Sequence, residues 1–131
     1  YKRQEMRRLV PETERLTRKE LAEQFVEKWP VTLLLKGART VIADRAYPLA
    51  FNSTGCPGMA SGGMGDVLTG VCTGLLAQGS KPRHAACMAA WLCGKTAELL
   101  VSRGLRTNET LLAGDIADSL TLGFDSLHRH I

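Results

Sequence analysis

The chain has 131 residues, enough for one ordinary domain (residues 1–131), and its apolar share of 44% is normal for a soluble globular protein. Its longest apolar stretches, such as residues 85–93, fall well short of the roughly 20 residues that a membrane-spanning helix needs, and residues 1–8 are too charged for an export signal; no membrane partner and a cytoplasmic location are expected. The net charge of +4 is local, because residues 1–20 hold seven Lys/Arg against four Glu with no aromatics interleaved, which argues for a solvated helical face and against nucleic acid.

In chain order, residues 1–16 are polar with a break at Pro11, and they end in Thr17-Arg18-Lys19-Glu20, a capping box. A helix over residues 18–29 follows, with Leu21, Phe25 and Trp29 on one buried stripe. Pro30 stops it. The continuous apolar run at residues 31–35 predicts a strand buried on both faces, residues 36–39 a turn, and residues 40–43 and 47–51 two more short strands. Residues 52–65 pack five glycines and Pro57 into fourteen positions, which excludes regular structure and leaves either a purposeful loop or a disordered linker.

A helix over residues 66–78 comes next, carrying Val67, Leu68, Val71, Cys72, Leu75 and Leu76 on one face and ending at Gly79. Gly70 and Gly74, four apart on it, predict close approach of another backbone. After Pro82 a longer, alanine-rich helix runs to about Arg103, and a last helix begins at Asp115 as N-cap and runs toward Leu122. His84, His128 and His130 are expected at a helix start and in a frayed tail, without catalytic roles. The four cysteines show no CxxC pair or zinc spacing and read as reduced gap-fillers, and no metal-ligand set is visible. With only one crossover helix in sight, a parallel sheet would have further members upstream.

The informative segment runs from Asn52 through Gly62-Gly63-Met64-Gly65-Asp66 to Gly70, leading from a strand through glycines into a helix. At a helix start the first N–H groups lack partners and the macrodipole is positive, so an anion is held by main chain alone. Gly62, Gly63, Met64 and Gly65 would form such an anion hole, each well-aimed donor contributing about 3 kcal/mol to a developing charge. It is not a Walker loop, since no Lys-Ser/Thr follows. Asp66 has two readings: the N-cap of that helix, or a general base beside the phosphate seat. Position alone does not choose between them. Lys36 ends a buried strand, where open α/β sheets bind ligands, with Arg39 and Thr40 just beyond as candidates for phosphate or ribose.

Lys36-Gly37-Ala38-Arg39-Thr40, then Asn52-Ser53-Thr54-Gly55, then Gly62-Gly63-Met64-Gly65-Asp66-Val67-Leu68-Thr69-Gly70 and Leu76-Ala77-Gln78-Gly79 together resemble the C-terminal half of the NAD(P)H-hydrate dehydratases. The resemblance covers residues 31–120 in register. It implies an α/β, ribokinase-like three-layer α/β/α sandwich of which this is the C-terminal part. It also implies that Lys36, Gly37, Ala38, Arg39, Thr40, Asn52 and Gly65 contact the adenine nucleotide, and that Asp66 contacts the hydrated nicotinamide substrate as catalytic base. The implied reaction moves phosphate from ADP, or ATP, to the C6 hydroxyl of NAD(P)H hydrate; phosphate then leaves to restore NADH or NADPH, with Mg²⁺ bridging phosphates. A homo-oligomer is the expected assembly. The family's Thr-Pro-His motif is replaced by Tyr1-Lys2-Arg3, just before Glu5-Met6-Arg7-Arg8-Leu9. Two other readings stay open: a ribokinase-like kinase of a small vitamin-precursor alcohol, and an inactive nucleotide-binding fragment.

Overall fold

The computed structural model describes residues 1–10 and 15–128; the break expected at Pro11 and the expectation for His130 lie outside them. The capping box forms as its residues demand: Thr17 N–H and Oγ1 donate to Glu20 Oε2 (2.8 and 2.7 Å), and Glu20 N–H donates to Thr17 Oγ1 (3.2 Å). It opens α2 (Arg18–Lys28), which is preceded by a helix not foreseen from the polar N-terminal sequence, α1 (Arg3–Leu9). The buried stripe of α2 is Leu21, Ala22 and Val26, with Phe25 packed at its border, whereas Trp29 is 49% exposed. The expected four-residue spacing drifts off the buried face, because a helix turns 3.6 residues per cycle.

Three strands follow: β1 (Leu33–Leu35), β2 (Val41–Asp44) and β3 (Tyr47–Phe51). They form an antiparallel meander in the order β1-β2-β3, with Leu35 opposite Val41 and Ile42 opposite Ala50. Links this short cannot make the crossover a parallel pair requires. Parallel pairing does occur at one bridge, Lys2 with Lys36: the Tyr1 amino group donates to the Leu34 carbonyl (2.9 Å) and Lys36 N–H donates to the Tyr1 carbonyl (2.7 Å). β1 and β2 are covered on both faces, whereas β3 is largely exposed. Leu33, Leu35, Val41 and Ala43 point toward α1 and α2, joining Met6, Leu21, Ala22 and Val26; Leu34 and Ile42 point the other way, onto Ala86 and Ala90. This alternation is the strand period of two placed between helices, three layers deep.

A short 3₁₀ helix (Pro57–Ala60) interrupts the glycine-rich segment, which is therefore not wholly irregular. Then come α3 (Met64–Ala77) and α4 (Pro82–Ser102), and the expected last helix is two: α5 (Ala113–Asp118) and α6 (Leu120–His128). Asp115 is the third residue of α5 and caps from there, accepting from Leu112 N–H at 2.9 Å; Leu112 is the N-cap position. His128 lies in α6, its Nδ1 2.9 Å from the Phe124 carbonyl. All four cysteines are free thiols, and burial pushes the Cys93 thiol up to about 11. Cys93, Ala97 and Leu100 of α4 form a second core with Leu111 and Ile116, against which Val67, Leu68 and Val71 of α3 pack half-buried. No residue of α3 is fully buried, Leu76 is exposed, and added side chains at Gly70 and Gly74 would meet nothing within 4 Å among the described residues.

Met6 is fully buried between α2 and β1, so Met6→Ala should lower stability by about 2–5 kcal/mol; a urea midpoint unchanged from the parent would show that α1 does not pack there. A second expectation concerns acid. The carboxylate of Asp115 accepts from Arg106 Nη2 (2.6 Å) and Leu112 N–H, which hold its pKa below the ordinary aspartate value in the folded protein. Its contribution is thus complete above that ordinary value and is lost as pH falls through the lowered one. Asp115→Asn should flatten the acid limb of a plot of Tm against pH and leave its neutral-to-basic part parallel to the parent's.

Candidate active site

β1 and α3 aim at each other. β1 delivers Lys36 at its C-terminal end, and the chain returns through β3 into the glycine-rich segment that opens α3. Gly63 is the N-cap of α3 and sits at φ +80°, a left-handed conformation that costs an L side chain roughly 1–2 kcal/mol. The N-cap reading of Asp66 is thereby displaced: Asp66 is the third residue of the helix, in its first turn, and its side chain is exposed. Asp66 and Val67 N–H turn back to the Gly63 carbonyl (3.0 and 3.1 Å), while the amides of Gly62, Gly63, Met64 and Gly65 donate to no other described residue. They are the orphan donors of a helix start.

The half-buried Lys36 side chain reaches this same place: a Cβ added to Gly65 would lie 2.7 Å from Lys36 Nζ. Among the described residues no carboxylate lies within ion-pair distance of that ammonium. An ammonium beside the positive end of a helix is electrostatically unfavourable unless an anion joins them. Together they suit a ligand carrying several negative charges, such as a polyphosphate.

The space between them is a cleft of about 1020 Å³, lined by Lys36, Gly37, Ala38, Thr40, Asn52, Gly62, Gly63, Met64, Gly65 and Asp66. Ten of the residues expected at the site are therefore brought together. Arg39 is not: it is exposed beyond the lining, and its carbonyl faces α2, where it accepts from Arg18. Asn52 lines the cleft, but its amide is committed, donating to the carbonyls of Thr54 (3.1 Å) and Ala90 (3.2 Å). Met59 also lines it, as do Lys2, Gln4 and Glu5 from the chain's start. Those three were not foreseen as site residues, although Tyr1-Lys2-Arg3 stands where the family's Thr-Pro-His motif does; the register of Lys2 beside Lys36, a tertiary fact, brings them to the cleft. Glu5 accepts from Lys2 N–H (2.8 Å); this bond foremost, with the nearby Lys36 charge, keeps its pKa below the usual carboxylate range.

The loop before α3 is fastened rather than loose, which decides between the two readings of residues 52–65. Thr54 Oγ1 donates to the Trp91 carbonyl (3.0 Å), and Gly55 N–H to Glu98 Oε1 (2.9 Å). From the other side Gly58 N–H donates to Asn108 Oδ1 (3.1 Å), and Ser61 Oγ to the Leu111 carbonyl (3.4 Å). Ordering before binding lowers the entropy a ligand must overcome. Among the described residues no three His, Cys, Asp or Glu side chains gather in a way that could hold a metal ion, and no helix is long and apolar enough to cross a membrane.

Comparison with known proteins identifies the family and the fold. The family model described as NAD(P)H-hydrate dehydratase matches residues 2–120. The bifunctional NAD(P)H-hydrate repair enzyme of Moorella thermoacetica is 44% identical over 115 residues, covering 87% of this chain and 21% of that protein. The crystal structure of the ADP/ATP-dependent NAD(P)H-hydrate dehydratase from Bacillus subtilis, co-crystallized with ATP/Mg²⁺, superposes with a TM-score of 0.85 at 32% identity, over 96% of this chain and 46% of that one. A ribokinase-like superfamily protein from Enterococcus faecalis superposes with a TM-score of 0.72 at 30% identity, over 95% of this chain and 43% of that one. The chain thus spans about a fifth of the curated relative's length and less than half of each solved structure, and its α/β fold is part of a ribokinase-like domain. With the glycine loop, the lysine-bearing strand end and a family match over nearly its whole length, the chain belongs to the NAD(P)H-hydrate dehydratase family.

Proposed function

We propose that this chain carries the phosphate seat and base of an ADP-dependent, or ATP-dependent, NAD(P)H-hydrate dehydratase. The observation that supports it best is the convergence of the Lys36 ammonium and the unpartnered amides at the start of α3, with the Asp66 carboxylate on the rim of the same cleft. Lys36, Gly37, Ala38, Thr40 and Gly65 receive the adenine nucleotide, and Asp66 faces the hydrated nicotinamide.

The chemistry follows from those positions. Asp66 takes the proton of the C6 hydroxyl as its oxygen attacks the terminal phosphorus of the nucleotide. A new C–O–P link forms and the bond to the departing nucleotide, AMP when ADP is the donor, breaks. The main-chain amides of residues 62–65 and the Lys36 ammonium stabilise charge on the phosphoryl oxygens in flight. The C6–O bond then breaks with phosphate as leaving group, the ring nitrogen supplying the electron pair, and loss of a proton from C5 forms the C5–C6 double bond that restores the reduced nicotinamide. The described residues build no cage for Mg²⁺. An ion carried in on the nucleotide would be held largely by its phosphates, and no step above is assigned to it.

Asp66→Asn keeps the shape and removes the base. Turnover of hydrated NADH with ADP, followed by the regained absorbance of reduced nicotinamide, should fall about 10²–10⁴-fold while ADP affinity by calorimetry stays near that of the parent. Parental turnover in this variant would leave Asp66 a helix-start residue only. Lys36→Ala should weaken ADP binding first, by about 1.5–3 kcal/mol; undiminished affinity would remove the ammonium from the site.

A further inference from the structure

Arg18 stands where helix physics argues against it. It is the first residue of α2, at the positive end of the helix dipole, and no carboxylate lies within ion-pair distance of it among the described residues. Its Nε is buried with no hydrogen-bond partner among the described residues, an arrangement that costs stability. A residue retained against both effects is held for something else it touches.

What it touches is the turn that presents Lys36. Arg18 Nη2 donates to the Leu35 carbonyl (3.0 Å) and to the Arg39 carbonyl (2.9 Å), one on either side of Lys36, Gly37 and Ala38. The guanidinium fills the space in front of Gly37, where an added Cβ would overlap Cζ and both terminal nitrogens of Arg18. Arg18 is not part of the cleft lining. Its own place is set by the Thr17–Glu20 capping box, which defines the start of α2.

We infer that Arg18 is the positioning residue of the lysine-bearing turn, tying both ends of the turn to α2 so that the Lys36 ammonium is held against Gly65. It adds an uncompensated positive charge behind the same seat. Gly37 is its complement: only a residue without a side chain lets the guanidinium lie there. The consequence for nucleotide binding rests on the function proposed above, whereas the hold on the turn does not.

The full chain carrying Arg18→Ala, Arg18→Lys, Gly37→Ala or Arg18→Ala with Gly37→Ala separates these parts. Amide hydrogen exchange should quicken at residues 36–40 in Arg18→Ala and remain parental in β2, and ADP Kd should rise about tenfold with turnover at saturating ADP retained. Arg18→Lys should recover only part of this, because one ammonium lacks the planar fork of donors. Gly37→Ala should loosen the turn by itself yet add little in the Arg18→Ala background, since the atoms it would strike are gone. Parental exchange at residues 36–40 in Arg18→Ala, or strictly additive effects in the double variant, would overturn the positioning role. Loosened exchange in a protein whose parent binds no ADP would uphold that role and strike the nucleotide reading instead.

Discussion

The Lys36 ammonium and the positive end of α3 share one small space in this protein, and among the described residues no carboxylate lies within ion-pair distance of that ammonium. Like charges of this kind repel each other and become favourable together when a multiply charged anion lies between them. Much of the surrounding architecture serves to keep them apart from water-borne disorder and close to each other. The sheet supplies the direction: β1 is buried on both faces, so its end is rigid and Lys36 emerges at a defined height above the core.

The opposite wall is a loop, and loops are ordinarily the least ordered parts of a domain. Here residues 52–63 are secured from both flanks, to α4 through Asn52, Thr54 and Gly55 and to residues 108–111 through Gly58 and Ser61. The helix start then needs only Gly63 in its left-handed conformation to turn the chain into α3. Donors that are already aimed cost no reorganisation when charge develops, which is the main source of electrostatic catalysis. In the nucleotide reading this also explains why Asn52 spends its amide on two main-chain carbonyls and holds the wall rather than the ligand.

α3 contains no fully buried residue. Its apolar residues are only half-buried and its two mid-helix glycines face open space among the described residues, whereas the sequence predicts close packing there. The chain corresponds to less than half of the solved structures it superposes on. Gly70 and Gly74 remain expensive for a helix, and the close backbone approach expected at them is not found among the described residues.

Local chemistry by itself determined a good deal: the Thr17–Glu20 cap, the doubly buried run ending at Lys36, the three short strands, and the glycine loop leading into a helix with Asp66 in its first turn. These are effects within a few residues, where propensity, capping and periodicity act directly. Tertiary structure decided the rest. The antiparallel pairing of the strands, the rotation of α2 that exposes Trp29 and buries Val26, the helix break between Asp118 and Leu120, and the displacement of Asp66 from cap to third position depend on what each segment packs against. So do the two arginine-to-carbonyl bonds from Arg18 and the arrival of Lys2 and Glu5 beside Lys36. Contacts across seventeen or more positions carry no periodic or compositional signal, because the partners of a guanidinium are main-chain carbonyls that every residue possesses.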